Sequence, residues 1–165
     1  MTTIETARLL LRPLAAEDEG ELAQVYCDAE TMIWYPRPYT RGEVRQSIAE
    51  QMGRYASGSG LMGMVDIATG KLIGDCGVIW QDIGGVMEPE VGYHVHRGFW
   101  NRGYATEAAK AMIDHAFGRL GVDHVISMIR PENLQSRRVA EKNGLVADQI
   151  VFWRNFDHCV YKLWK

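Results

Sequence analysis

The sequence is short of cysteine and has no excess of positive charge, and each shortage excludes a class of protein. Its three cysteines are far apart and odd in number: Cys27, Cys76 and Cys159. This spacing predicts neither a disulfide framework nor a zinc site and favours free thiols in the cytoplasm. Eighteen Lys and Arg stand against 21 Asp and Glu, for a net charge of −3. Direct nucleic-acid binding is therefore not expected, because phosphate-backbone affinity needs a clustered excess of basic residues.

Long apolar runs are also missing. The only continuous apolar run near the start is Leu9–Leu10–Leu11, and Arg8 and Arg12 bracket it, so the sequence predicts no signal-peptide core. No stretch approaches the ~20 apolar residues of a membrane span. No repeat or Ser/Pro-rich linker divides the chain. We therefore expect one domain over residues 1–165, located in the cytoplasm and not in a membrane.

Hydrophobic periodicity predicts a mixed order of strands and helices. The predicted strands cover residues 9–14, 61–67, 72–80, 90–96, 122–129, 149–153 and 159–164. The predicted helices cover residues 16–28, 42–56, 102–120 and 134–143, and Asn133 is the expected cap of the last one. This order is neither a regular βαβ alternation nor a sandwich. It favours a single mixed sheet with helices on both faces.

One glycine pattern has the spacing of a dinucleotide-binding fingerprint but the wrong neighbours. Gly58, Gly60 and Gly63 fit G-x-G-x-x-G, yet that fingerprint requires a strand before it and a helix after it. Here a predicted helix precedes the glycines and a predicted hairpin follows them. We therefore interpret these glycines as an ordinary loop.

A second glycine-containing turn predicts an anion site. It joins the strand at 90–96 to the helix at 102–120, where the first N–H groups of a helix have no partner inside the helix. Gly103 and Ala105 are small enough to let a phosphate approach the backbone, and Arg97 and Arg102 add positive charge. The helix dipole favours the same anion.

Four segments together carry a resemblance to the GNAT acetyltransferase superfamily, and within it to the RimJ/RimL-type branch of ribosomal-protein acetyltransferases. They are TARLLLRPL at 6–14, EVGY at 90–93, WNRGYATEA at 100–108 and PENLQSRRVAEKNGL at 131–145. The resemblance implies the α+β GNAT fold, with one central, mostly antiparallel sheet. Its strands at 90–96 and 122–130 would splay apart and admit the pantetheine arm of acetyl-CoA. Trp100 stands where the superfamily usually has Gln or Arg, as this branch commonly does.

The resemblance also implies the roles of individual residues. Asn133 would contact the pantetheine, and Ser136 would lie near the thiol, where it would protonate or hydrogen-bond the departing thiolate. The main chain of His94 and Val95 would pair with the pantetheine amides, and the turn before the helix would hold the pyrophosphate. The implied cofactor-binding residues are His94, Val95, Arg97, Arg102, Gly103, Tyr104, Ala105, Thr106 and Asn133.

Acyl transfer to an amine further requires a base and a stabilised oxyanion. Glu90 is the first candidate for the base, acting through water, with Asp157 and His158 behind it. The main-chain N–H of Val95 is a candidate for polarising the thioester carbonyl. No metal is expected, because an H-x-H pair without a third ligand is a weak metal motif.

Two interpretations of function stay open. The leading one is an acetyl-CoA-dependent N-acetyltransferase that passes acetyl directly to a primary amine, either a protein N-terminus or a small molecule. The alternative is a non-catalytic module that binds or senses acyl-CoA. Trp34, Tyr35 and Tyr39 form a wall of the acceptor pocket or else cap the core. The identity of the amine and the choice between monomer and homodimer also stay open.

Overall fold

Eight strands form a single sheet in the computed structural model, which describes residues 1–165. The strands are β1 (Ile4–Glu5), β2 (Leu9–Arg12), β3 (Gly60–Asp66), β4 (Leu72–Ile83), β5 (Val86–Val95), β6 (His124–Ile129), β7 (Val146–Trp153) and β8 (Phe156–Trp164). The helices are α1 (Glu19–Tyr26), α2 (Arg41–Arg54), α3 (Tyr104–His115) and α4 (Leu134–Lys142). None of them is both long and apolar enough to cross a membrane.

The order across the sheet is β1-β2-β3-β4-β5-β6-β8-β7. Only β5 and β6 run parallel, and every other neighbouring pair is antiparallel. The predicted fold class, a mostly antiparallel mixed sheet with helices, is confirmed.

The element boundaries differ from the predicted ones locally. The two-residue strand β1 was not predicted, because two residues carry no periodicity. The helix predicted at 16–28 divides into a short 3-10 turn at Ala16–Asp18 and then α1. The helix predicted at 102–120 begins only at Tyr104, and its last turn, Ala116–Leu120, is π-helical.

Both long hairpins are tighter than predicted. Gly84 and Gly85 have φ values of 63° and 88°, which is the backbone of a two-residue turn between antiparallel strands. The strand β5 therefore begins at Val86 rather than at residue 90. Arg154 and Asn155 make the corresponding turn between β7 and β8, with φ values of 47° and 69°.

The glycine pattern at 58–63 lies where a helical segment ends and a strand begins. The helix α2 and a 3-10 turn at Tyr55–Ser57 precede it, and β3 starts at Gly60. No helix N-terminus follows these glycines, so their interpretation as a loop is confirmed.

The two faces of the sheet pack against different helices. Val91 and Val95 of β5 belong to the larger core with residues of α3, namely Ala108, Ala109, Met112 and Ile113. The smaller core lies with α1 and α2 and contains Leu22, Tyr26, Val44, Ile48 and Leu72. Since side chains alternate along a strand, Glu90, Gly92 and His94 lie on the face opposite to Val91 and Val95.

The sheet opens between β5 and β6. These strands share a single residue pair, Glu90 with Ile126. Just beyond this pair, hydrogen bonds between side chains and main chain connect the two strands. The Ser127 hydroxyl donates to the Val91 carbonyl at 2.8 Å, and the Met128 N–H donates to Glu90 Oε1 at 3.3 Å. The predicted splay of the central strands is confirmed.

Candidate active site

A cavity of about 780 Å³ lies at the opening of the sheet. Its walls come from β5, β6, the N-termini of α3 and α4, and the loop between α1 and α2. Most of the predicted site residues line it: Glu90, His94, Val95, Gly103, Tyr104, Ala105, Thr106, Asn133 and Ser136. Arg97 and Arg102 do not.

One end of the cavity is the N-terminus of α3. Gly103 precedes the helix with φ 83°, a left-handed conformation that favours glycine. The first hydrogen bond inside the helix runs from the Glu107 N–H to the Gly103 carbonyl, at 3.1 Å. The N–H groups of Tyr104, Ala105 and Thr106 therefore precede the helical ladder and can bind an anion.

Cations other than Arg97 and Arg102 also lie near this end. Arg8, from the turn before β2, donates from Nη1 to the Arg102 carbonyl at 2.8 Å and lies 2.7 Å from Glu107 Oε2. Arg138 and Lys142, one turn apart on α4, line the cavity itself. The only sequence signal for Arg8 was its place in the TARLLLRPL segment.

The structure corrects the expectation for Arg97. Its guanidinium lies 3.2 Å from Asp28 Oδ2 and 3.0 Å from Glu30 Oε2, so those two carboxylates already neutralise it. Arg102 lies over the Phe99 ring, 5.6 Å from the ring centroid. At this end, the groups that face the cavity and could bind an anion are thus the helix N–H groups, Arg138 and Lys142.

The main chain of β5 faces the opening at alternate residues. The His96 N–H donates to the Ile73 carbonyl of β4 at 2.9 Å, and in an antiparallel pair every second residue repeats this bonding. Val95 therefore directs its N–H toward the opening, while its carbonyl accepts the Trp100 indole N–H at 2.7 Å. The expectation for the His94 main chain is wrong, because that residue pairs with Asp75 and only its side chain faces the cavity.

Asn133 and Ser136 meet at the N-terminus of α4. The Asn133 Oδ1 accepts the Ser136 N–H at 3.1 Å, which confirms the predicted cap. The Tyr93 hydroxyl donates to the Ser136 carbonyl at 3.1 Å and ties this helix end to β5. Ser136 therefore lies at a fixed position beside the opening.

Glu90 lies at the bottom of the opening. Burial raises the pKa of its carboxyl group above the ordinary value, against smaller lowering effects from a hydrogen bond to Gln81 and from the Met128 N–H. Of the two reserve candidates for the base, His158 lines the cavity and Asp157 does not. Burial lowers the pKa of His158.

A network of hydrogen bonds, buried at Asp75 and Tyr26 and exposed at Tyr35, surrounds the His94 side chain and was not predicted. The imidazole Nδ1 lies 2.8 Å from Oδ1 of Asp75, which is only 1% exposed. The Tyr26 hydroxyl donates to the other Asp75 oxygen at 2.7 Å. The Tyr35 hydroxyl lies 2.5 Å from His94 Nε2. His96 does not join this network, and instead accepts a main-chain N–H of the turn after β5.

Aromatic side chains form the wall of the cavity at this end. Trp34, Tyr35 and Tyr39 all line it from the loop between α1 and α2. Tyr39 also stacks on Tyr26, with ring centroids 5.0 Å apart, and packs against the smaller core. The two interpretations of this loop are therefore compatible.

Comparisons with known proteins agree with this geometry. The chain is 31% identical to an FsC-acetyl coenzyme A-N(2)-transacetylase from Aspergillus fumigatus, over 91% of this chain and 67% of that protein. It superposes on an acetyltransferase from Agrobacterium tumefaciens with a TM-score of 0.85 and 28% identity, covering 100% and 95% of the two chains. The ribosomal L7/L12 alpha-N-protein acetyltransferase RimL, solved with coenzyme A, shares the fold, with a TM-score of 0.81 and 15% identity over 98% and 97%.

The sequence model of the acetyltransferase (GNAT) domain matches residues 8–146. That span contains the opened strands, the N-terminus of α3 and the capped start of α4. Family members use acetyl-CoA as the acyl donor. The chain belongs to the GNAT family of N-acetyltransferases.

Proposed function

We propose that this acetyltransferase passes the acetyl group of acetyl-CoA directly to a primary amine, on a protein N-terminus or a small molecule, in the cytoplasm. The observation that carries the proposal is a single cavity that joins the anion-binding end of α3 to an end with a carboxylate, an imidazole and aromatic rings. The three free cysteines suit a reducing compartment. The names of the Aspergillus relative and of RimL also describe transfer to nitrogen.

The residues at the α3 end suit a nucleotide diphosphate. The N–H groups of Tyr104, Ala105 and Thr106 would hold the pyrophosphate, and Arg138 and Lys142 would supply positive charge. The Val95 main chain would bind the thioester end of the arm, as an added strand would. Asn133 would contact the pantetheine beside it.

Glu90 and Ser136 both transfer protons in the reaction. Glu90 takes a proton from the ammonium through water, and the amine nitrogen then attacks the thioester carbon. The Val95 N–H polarises the carbonyl oxygen as negative charge forms on it. When the C–S bond breaks, the Ser136 hydroxyl gives a proton to the sulfur.

Replacing Ser136 with alanine should lower turnover without weakening coenzyme A binding. The loss in kcat is expected to be about 100-fold, the lower end for acid catalysis, because a thiolate is already a competent leaving group. Steady-state kinetics and calorimetric titration with coenzyme A measure the two quantities separately. Ser47→Ala, on the α2 side of the same cavity, is the matched control. An unchanged kcat would leave Ser136 with only a positional role.

Replacing Glu90 with glutamine should lower kcat/KM about 100-fold. Glutamine still accepts the Met128 N–H, so the opening of the sheet is preserved. In the wild type, a base must be unprotonated, so kcat/KM should fall as the pH drops through the raised pKa of Glu90, above the ordinary 4.5. Glu88→Gln, on the same strand outside the cavity, is the control. A glutamine variant with the wild-type pH profile would contradict the role.

A release assay for the coenzyme A thiol tests the function as a whole. Acetyl-CoA is offered with a panel of short peptides, amino acids, polyamines and aminoglycosides, and products are identified by mass spectrometry. We expect at least one primary amine to be acetylated. If coenzyme A raises the melting temperature but no amine releases thiol, the chain is a binding module instead.

A further inference from the structure

We propose that His94, held by Asp75 and reached through the Tyr35 hydroxyl, is a second proton acceptor for the amine. This inference rests on the proposed function and adds to it. Making an amide from an ammonium removes two protons from one nitrogen. Glu90 accounts for one of them, and the other needs a separate acceptor on the same side of the opening.

The hydrogen bonds around Asp75 fix which nitrogen of His94 is basic. Burial raises the pKa of Tyr26 well above its ordinary value, so its hydroxyl keeps its proton and donates it to Asp75 Oδ2. The neighbouring Oδ1 lies 2.8 Å from His94 Nδ1, and because a carboxylate can only accept, Nδ1 carries the proton, although the Tyr26 hydroxyl also lies 3.0 Å from it. A neutral imidazole carries only one N–H, and therefore Nε2 has the free electron pair.

The Tyr35 hydroxyl connects this nitrogen with the cavity. It lies 2.5 Å from His94 Nε2 and donates its proton there. A tyrosine phenol has an ordinary pKa of about 10, so Tyr35, which is 41% exposed, does not ionise alone at neutral pH. It can release its proton to Nε2 only while it takes another from the amine. Glu90 and Tyr35 both line the cavity.

A glycine leaves room for the amine between the two acceptors. Glu90, Gly92 and His94 lie on one face of β5. A Cβ at Gly92 would meet only the Leu61 side chain, at 4.0 Å, so this part of the cavity floor is open. The charged and titratable groups that face the imidazole are Asp75 from β4, Tyr26 from α1, Tyr35 from the loop and Glu90 from β5.

The protons balance over the reaction. The ammonium gives its first proton to Glu90 through water, and the nitrogen then forms its bond to the acetyl carbon. The second proton moves from this nitrogen to the Tyr35 oxygen while the Tyr35 proton moves to Nε2. The C–S electron pair leaves with sulfur, which takes the Ser136 proton. Ser136 then regains a proton through solvent from Glu90, and His94 releases the other to solvent. The net products are the amide, the free thiol and one proton.

The test compares Tyr35→Phe, His94→Gln and the double variant, using the best amine from the panel. Each single variant is expected to lose about 100-fold in kcat, with coenzyme A affinity unchanged. Because both residues serve one transfer, the double variant should be no slower than either single variant. Tyr161→Phe, a tyrosine of β8 outside the cavity, is the matched control and should keep the wild-type kcat.

Asp75 acts through His94 and is a positioning residue. Asp75→Asn should lower kcat while the KM for the amine and the affinity for coenzyme A stay unchanged, because the amide no longer holds the Nδ1 proton and the basic nitrogen loses its fixed orientation. A coenzyme A-induced rise in melting temperature confirms that each variant is folded. Wild-type kcat in Tyr35→Phe or His94→Gln, with Glu90→Gln still impaired, would overturn this inference alone. Absence of acetylated amine with the wild-type chain would overturn the proposed function and this inference with it.

Discussion

Gly103→Glu is expected to abolish coenzyme A binding while the chain stays folded. The carboxylate would lie among the N–H groups at the start of α3 and repel the pyrophosphate. Arg8 Nη2, 3.3 Å from a Cβ built on Gly103, would pair with it. Charge-assisted hydrogen bonds contribute about 1.5–3 kcal/mol each, so losing two of them lowers affinity by about 100-fold or more. An acidic residue at a helix N-terminus is otherwise favourable, so α3 should persist.

A second glycine of the same conformation provides the control. Gly70 has φ 69° in the turn between β3 and β4, and a Cβ there meets no atom within 4 Å. Gly70→Glu therefore introduces similar backbone strain and the same charge away from the cavity. Calorimetric titration with coenzyme A should give wild-type affinity for Gly70→Glu and no measurable heat for Gly103→Glu. Equal affinities would refute the assignment of the pyrophosphate site.

Gly77→Ala is expected to destabilise the fold severely. A Cβ on Gly77 would lie 2.0 Å from the Gly60 carbonyl oxygen and 2.7 Å from the Leu61 Cα, both in the backbone of β3. A strand paired on both sides cannot move away as a flexible side chain would. We expect the free energy of unfolding to fall by about 3 kcal/mol, the upper end for overpacking. Urea denaturation followed by circular dichroism measures the change.

The cross-strand partner of Gly77 is the matched control for this prediction. Gly92 lies directly opposite on β5, but a Cβ there meets only Leu61 Cδ2, at 4.0 Å. Gly92→Ala should therefore leave the unfolding midpoint nearly unchanged and raise KM for the amine, since the methyl group narrows the space beside Glu90. Equal destabilisation by the two substitutions would show that the contact with β3 is not responsible.

The parts of the fold and site that were predicted depend on local chemistry. Periodicity located the main helices and strands, and the cap at Asn133 and the left-handed turn at Gly103 are properties of a few neighbouring residues. The errors lie where the local signal is weak. The alternation of side chains along β7 is interrupted by a register shift between Ala147 and Gln149. Hydrophobic periodicity therefore does not predict the first residues of this strand.

The contacts of the charged residues could not be predicted from the sequence. Arg8 reaches a helix that begins almost a hundred residues later, and Arg97 pairs with carboxylates near α1. No residue spacing in the sequence indicates the partners of either arginine. The His94–Asp75 pair differs in this respect, because counting equal steps back from the predicted turn at Gly84 and Gly85 brings those two residues opposite each other. Extending the two predicted strands as far as this turn would have predicted the His94–Asp75 pair.

The single pairing of Glu90 with Ile126 has a mechanical consequence. The opening divides the sheet into a part with five strands and a part with three. The helices α3 and α4 together pack across the boundary between these two parts. In the proposed complex the pantetheine arm lies along that boundary and forms hydrogen bonds with the main chain exposed there. The acyl donor would then hold the two parts of the sheet together as well as react. Its binding free energy would add directly to the free energy of unfolding of the protein.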